Sequence, residues 1–216
     1  MSFRIIQCVQ REPAWHQARC GRLTGSVAHC VTARGSRGEA VTRRDLRYRL
    51  ACERITGQPE PDDFLGFDMR RGIEQEPRAL AAYEAAIGRK VEKTGFLQHN
   101  ALMVGCSLDG HVGQAFEQIV ELKASKAALH IRHWKLREEF VREHWQQIAH
   151  CLWVSGAEAC DLCSYNESVP EQLRLLRVTV LRCDAKLEAY IPAAERFLAD
   201  VESTVREVQA LAGTAA

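Results

Sequence analysis

At 216 residues the chain is long enough to bury a sizeable core as one domain. Its 46% hydrophobic and 26% charged residues are those of an ordinary globular protein and exclude a disordered or fibrous class. No apolar run approaches the ~18 residues that read as a membrane span, and Met1-Ser2-Phe3-Arg4 opens no signal peptide. The expectation is therefore a single domain over 1–216 that works in the cytoplasm, away from membranes. The formal charge of +1 hides an asymmetry, because Met1 to Gly57 carries eleven arginines against four acids, a net +7 that leaves −6 for the remainder. A basic segment beside an acidic one suits a protein that grips phosphates in one place and works on them in another, while solvated surface arginines are the ordinary alternative.

In chain order, Trp15 to Cys20 predicts a short helix, and Thr24 or Ser26 is placed to cap a second helix running through Arg34. Hydroxyls and backbone N–H groups at such a helix start would cradle a phosphate. Thr42 to Ile55 predicts an arginine-rich helix with Leu46, Leu50 and Ile55 on its apolar side, ended by Gly57. Gln58 to Asp63 reads as a Pro/Asp loop. Met69 to Ile87 is helical, with room for a bend at Pro77 and a stop at Gly88, and it carries Glu76 on the side facing a sheet. Strands are expected at Val91–Gln98, Met103–Ser107, Gln118–Lys123 and Glu158–Tyr165, with a helix from about Glu138 to Val154 between the last two. Leu173–Arg182 is β-rich, Ala185–Leu211 is a long amphipathic helix, and Gly213–Ala216 is a frayed end. Strands interspersed with helices predict an α/β fold: a mixed central sheet flanked by helices, with a long C-terminal helix.

Nine cysteines, an odd number scattered through apparent helices and strands, read as reduced thiols. Cys160 and Cys163 form the only close pair, but on a strand they face opposite sides, which favours buried apolar packing over a metal or iron–sulfur site. Among eight histidines, His130 and His133 have a helix-like interval and lack a companion cysteine pair, so zinc is not expected.

The chemistry concentrates at Asp109 and at Glu121-Leu122-Lys123. Successive strand side chains point to opposite faces, so Glu121 and Lys123 share one face, while Val120 and Leu122 take the other. Asp109 lies at a turn, which allows two acids and an ammonium to converge at one sheet edge. Hard divalent cations want carboxylate and carbonyl oxygens, and phosphodiester hydrolysis wants such ions to polarise phosphate and acidify water. Taken alone, Glu-X-Lys is more often a solvated charge pair.

The surroundings supply the context. Gly72-Ile73-Glu74-Gln75-Glu76-Pro77-Arg78-Ala79, then Tyr83, Gly88, Gly95-Phe96, Ser107-Leu108-Asp109-Gly110, Glu121-Leu122-Lys123 and Gln147 come in the order of a known family. Trp15, Arg19, Gly21, Leu23-Thr24 and Ser26 precede them. Over residues 12–167 the chain resembles the lambda exonuclease or YqaJ-like viral recombinase nucleases of the PD-(D/E)XK group, which implies a restriction-endonuclease-like core followed by the segment 173–211.

The resemblance implies that Asp109, Glu121 and the Leu122 backbone carbonyl bind Mg²⁺, or Mn²⁺ in its place, with Glu76 holding that ion or a second one. Lys123 would orient water or stabilise charge on the phosphoryl oxygens, and Gln147 would position Lys123 or the water. Arg19 and Ser26 match positions that grip a terminal 5′-phosphate, with Thr24 and Trp15 beside them; Trp15 either packs under the pocket or stacks on a base. The ordinary alternatives are a turn or cap for Asp109, a helix salt bridge for Glu76 and a satisfied helix amide for Gln147. The family also implies a 5′ to 3′ exonuclease acting on double-stranded DNA ends, a ring-like homotrimer and a single-strand annealing partner. The competing functions are an endonuclease on the same fold and a non-catalytic DNA-binding scaffold. Ala124-Ser125-Lys126 after Lys123, and Ala149-His150 after Gln147, depart from the family pattern.

Overall fold

A computed structural model describes residues 3–36, 38–60 and 67–214 of the chain. Residues 61–63 of the predicted loop at 58–63 and the last two residues lie outside this range, as does Arg37. The elements are β1 (Phe3–Ile6), α1 (Pro13–Arg19), β2 (Leu23–Thr24), α2 (Ala28–Val31), β3 (Arg34–Gly35), β4 (Gly38–Glu39), α3 (Val41–Thr56), α4 (Phe67–Ile87), β5 (Phe96–His99) and β6 (Val104–Cys106). They continue with β7 (Gly110–Val112), β8 (Gln118–Ala124), α5 (Ala127–Lys135), α6 (Arg137–Ser155), β9 (Ala159–Tyr165), β10 (Leu175–Leu181) and α7 (Leu187–Thr214). The α/β class, the flanking helices and the long C-terminal helix are as expected.

The strands fall into two four-stranded mixed sheets, ordered β10-β9-β8-β7 and β1-β5-β6-β2, and a small ribbon of β3 and β4. Each large sheet has one parallel pair, β8 with β9 and β2 with β6. The predicted strand at 91–98 divides between them. Glu92 makes a single bridge to His111, and regular pairing resumes only at Phe96, against β1. Gly95 sits at the crossing, where an added Cβ would overlap the Ile6 carbonyl oxygen.

Alternation along β8 sorts its side chains into two separate cores. Ile119 joins the main cluster under α6, with Phe140, Ile148 and Leu152, whereas Val120 and Leu122 pack with Tyr83, Ile87 and Val112 on the α4 side. Cys160 and Cys163 follow the same rule from β9, one in each cluster. The α3 and α4 helices end as their glycines predict, Gly57 and Gly88 both at φ +68°, a left-handed conformation glycine adopts without a Cβ penalty.

The structure departs from the sequence-based expectations in several places. Neither Thr24 nor Ser26 makes a capping hydrogen bond; Gly25–Val27 is a 3₁₀ turn, α2 stops at Val31 and Arg34 lies in β3. α7 continues through Gly213 to Thr214 rather than fraying at 213. β1, β7 and α5 have no counterpart in the sequence reading. The inward face of α5 is formed by His130 and His133, both accepting from or donating to Ser164 Oγ at 2.8 and 3.0 Å, so it lacks an aliphatic stripe. Part of the basic N-terminal segment is structural: Arg43 pairs with Glu39 and Asp200, Arg47 with Glu39, and Arg54 with Glu202. The contacts to Asp200 and Glu202, with Arg47 donating to Thr204 Oγ1, help hold α3 against α7.

Candidate active site

The site forms because β7 stops pairing with β8 early. Their register runs Gly110↔Val120, His111↔Ile119 and Val112↔Gln118, so beyond Val120 this edge of β8 is open. Asp109, just before β7, fills the gap, and its Oδ2 accepts the Leu122 N–H at 2.7 Å. The turn reading of Asp109 is thus correct as far as it goes, and it sets the carboxylate beside Glu121.

On the α6 face of β8, Lys123 Nζ donates to Glu121 Oε1 at 2.8 Å and to Gln147 Oε1 at 2.9 Å. Gln147 Nε2 in turn donates to the same Glu121 Oε1 at 2.7 Å. Helix and strand therefore close a triangle of hydrogen bonds that fixes all three side chains. Glu121 Oε2 and Asp109 Oδ1 have no protein hydrogen-bond partner among the described residues.

Burial and the neighbouring Glu121 charge push Asp109 up to about 7, and the Leu122 N–H and Lys123 only partly offset them. Burial alone would lower Lys123, but the charge and hydrogen bond of Glu121 and the charge of Asp109 prevail and raise it, so it stays cationic. Two carboxylates with one ammonium remain short of positive charge, a donor set that suits a hard divalent cation. Among the described residues no three His, Cys, Asp or Glu side chains cluster closely enough to form a protein cage. A cation held by Asp109 and Glu121 would complete its shell with the Leu122 carbonyl, water and substrate oxygens, the habit of Mg²⁺.

Glu76 reaches the same cleft from α4, on the face that also carries Ala79, Tyr83 and Ile87. Its carboxylate is engaged by Lys93 Nζ at 2.6 Å and by Arg11 Nη2 at 3.4 Å. The salt-bridge alternative for Glu76 therefore describes its present contacts, although the partners come from distant segments. The cleft has a volume of about 330 Å³ and includes Arg11, Ser26, Glu76, Asp109, Glu121 and Lys123.

The predicted phosphate residues lie next to it. Arg19 Nη2 donates to Ser26 Oγ at 3.1 Å, and Thr24 Oγ1 is 3.4 Å from the same hydroxyl. Trp15 lies beneath: the Arg19 guanidinium is 4.1 Å from its ring centre and its indole N–H donates to Ser107 Oγ at 2.7 Å. Arg22 and Arg49 join Arg19, Thr24 and Ser26 around a cavity of about 210 Å³. Sequence reasoning missed Arg11, Lys93, Arg22 and Arg49 as neighbours of the site. Only the arginine density of the first fifty-seven residues hinted at Arg11, Arg22 and Arg49, and it could not separate them from the arginines that contact α7; nothing local marked Lys93.

Behind the site, Tyr83 Oη donates to the wholly buried Asp161 Oδ2 at 2.6 Å, and Thr179 Oγ1 donates to Asp161 Oδ1 at 2.5 Å. The Tyr83 bond ties α4, and with it Glu76, to the sheet that carries Glu121.

Residues 14–158 match the YqaJ-like viral recombinase domain. Among solved structures the chain is similar to an alkaline exonuclease from Laribacter hongkongensis, at 28% identity over 94% of this chain and 98% of that one, with a TM-score of 0.82. It is similar to the same degree to that enzyme in complex with dAMP. A phage-related exonuclease from Haemophilus somnus 129PT shares the fold at 15% identity, covering 87% of this chain and 96% of that one with a TM-score of 0.68. No curated protein sequence matches the chain. With two thirds of its length inside one family's domain, the chain belongs to the YqaJ-like viral recombinase family.

Proposed function

We propose that this chain is a divalent-metal-dependent exonuclease that digests one strand of linear duplex DNA from a 5′-phosphorylated end, in the 5′ to 3′ direction. The observation that carries the reading is the convergence of Asp109, Glu121, Lys123 and Gln147 at the open edge of β8, in a cleft that meets an arginine-lined cavity at Ser26. Family membership and the likeness to an alkaline exonuclease support it.

Asp109 and Glu121, with the Leu122 carbonyl, are the residues that would hold Mg²⁺ or Mn²⁺. When bound, the cation supplies Lewis acidity to the phosphate and lowers the pKa of water. The chain's own residues do the rest. The Lys123 ammonium, held by Glu121 and Gln147, orients the attacking water through a hydrogen bond and offsets negative charge building on the phosphoryl oxygens. Because it arrives fixed from two directions, it needs no reorganisation during the reaction. Gln147 positions Lys123 by accepting from Nζ, and its amide N–H keeps Glu121 Oε1 facing inward. Arg19 and Ser26 bind the terminal phosphate, the guanidinium through paired N–H donors and the hydroxyl through one, so the enzyme reads an end rather than a sequence. Glu76 is the residue for a second or outer metal contact, a role that requires release from Lys93 or Arg11.

The family likeness further supports a ring-like homotrimer around DNA, a single-strand annealing protein as partner and action in the host cytoplasm. Among the described residues no helix is long and apolar enough to cross a membrane.

The test is digestion of linear duplex DNA in Mg²⁺, with 5′-phosphate or 5′-hydroxyl ends, one strand labelled at either terminus, beside a covalently closed circle. Progressive loss of the 5′-phosphorylated strand with the circle intact is expected. Cutting of the circle would assign an endonuclease, and metal-independent or absent cleavage would refute the reading.

A further inference from the structure

Ser26 stands where three cavities meet. Beside the arginine-lined cavity and the carboxylate cleft there is a third, of about 310 Å³, on the α6 side of Lys123, lined by His29, Glu143, His144 and Gln146 besides Gln147 and Ser26. The three differ sharply in chemistry. The first offers guanidinium groups to a phosphate, and the second offers paired carboxylates. The third offers two imidazole rings, two amides and a carboxylate.

This third cavity is a poor phosphate site. Its one ammonium, Lys123, already donates to Glu121 and Gln147, and the Glu143 carboxylate, paired with Arg132, offers an anion no donor. Its groups suit a flat, uncharged, hydrogen-bonding ring. The imidazoles offer faces for stacking, and Gln146, whose Nε2 donates to Thr32 Oγ1 at 3.0 Å, keeps an amide oxygen with no protein partner among the described residues.

The last nucleotide of a DNA strand has three such parts on one sugar: a 5′-phosphate, a 3′-phosphodiester and a base. The geometry points to the third cavity as the subsite for the base of that terminal nucleotide, with His29 and His144 as its stacking residues and Gln146 as its hydrogen-bonding one. The inference rests on the exonuclease reading, since it takes the 3′-phosphodiester to lie at Asp109 and Glu121. The exonuclease reading does not require it, because phosphate contacts alone could hold an end. A base stacked on an aromatic ring adds roughly five- to a hundredfold in affinity, largely independent of sequence, so the subsite strengthens the hold on an end without selecting a base.

Calorimetric titration with dAMP and with 2-deoxyribose 5-phosphate, both in Mg²⁺, tests it without turnover. Wild type should bind dAMP at least fivefold more tightly than the baseless sugar phosphate. His29→Ala and His144→Ala should each reduce that ratio toward one while leaving 2-deoxyribose 5-phosphate affinity unchanged. His29 is exposed, so its variant tests the idea even if loss of His144, which packs edge-on to Phe140, disturbs folding. Equal affinity of wild type for the two ligands, no measurable dAMP binding by a protein that digests DNA ends, or a ratio unchanged in the His29 variant would overturn the subsite. A dAMP preference lost on mutation, in a protein that digests no DNA end, would keep the subsite and remove the exonuclease reading instead.

Discussion

Replacing Lys123 with alanine perturbs the site in two directions that can be measured separately. The ammonium lies 2.8 Å from Glu121 Oε1, and the two side chains are 24% and 9% exposed. Removing one partner of a buried ion pair costs about 3–5 kcal/mol. Here the residual exposure of Lys123 and the surviving Gln147 to Glu121 hydrogen bond reduce the expected cost to roughly 1–3 kcal/mol. For a chain of this length, about 2–4 °C of Tm accompanies each kcal/mol, so the metal-free variant should melt about 2–12 °C below wild type. A divalent cation supplies the positive charge that the variant lacks. Mg²⁺ should therefore raise its Tm by more than it raises that of wild type. Turnover should move the other way, falling by about 10²–10³ on a 5′-phosphorylated duplex, the usual cost of losing one preorganised electrostatic donor. Thermal melts in EDTA and in saturating Mg²⁺, beside a labelled-strand digestion, give both numbers. A variant that gains less from Mg²⁺ than wild type, or that keeps turnover within tenfold, would refute the role assigned to this ammonium.

Arg19→Ala should weaken the preference for 5′-phosphorylated over 5′-hydroxyl ends while sparing the rate on hydroxyl ends; equal losses on both would remove the phosphate pocket. Tyr83→Phe deletes the 2.6 Å bond to buried Asp161 and should cost about 1.5–3 kcal/mol in urea unfolding, whereas an unchanged midpoint would mean that Thr179 and Arg177, whose Nη1 lies 3.7 Å from Asp161 Oδ2, satisfy Asp161 without it. Burial lowers His150 to about 4, consistent with Nε2–H donating to the Gly105 carbonyl while Nδ1 accepts from Tyr190 Oη. Because the native state disfavours the proton, this group's contribution to stability is present above about 6.5 and is lost as pH falls toward 4. Imidazole NMR should find His150 neutral at pH 5.5, and titration near 6.5 would show the ring to be solvated.

Much of the site was legible before folding because its signals are local. Two-residue alternation put Glu121 and Lys123 on one face, and their 2.8 Å contact follows directly from it. Helical patterning put Glu76 on the sheet-facing side of α4, where Ala79 and Tyr83 are buried. Glycine marked the ends of α3 and α4, since few other residues accept φ near +68°. Other features left weak signals. β7 has three residues, and the buried face of α5 is histidine rather than aliphatic, so neither shows a clear apolar period.

By itself, then, the sequence determined the α/β class, the two faces of β8 and the kinds of groups available for phosphate chemistry, because these depend on residues a few positions apart. Tertiary structure decided which groups meet. The early end of the β7 ladder lets Asp109 take the Leu122 N–H, α6 brings Gln147 across 24 residues to Lys123, and Arg11 and Lys93 converge on Glu76. It also divided the N-terminal arginines between cavity and scaffold, Arg19, Arg22 and Arg49 facing one and Arg43, Arg47 and Arg54 pairing along the other. Nothing in an arginine's sequence neighbourhood makes that division; for Arg43, Arg47 and Arg54 it is set by Asp200, Thr204 and Glu202 on α7, some 150 residues away.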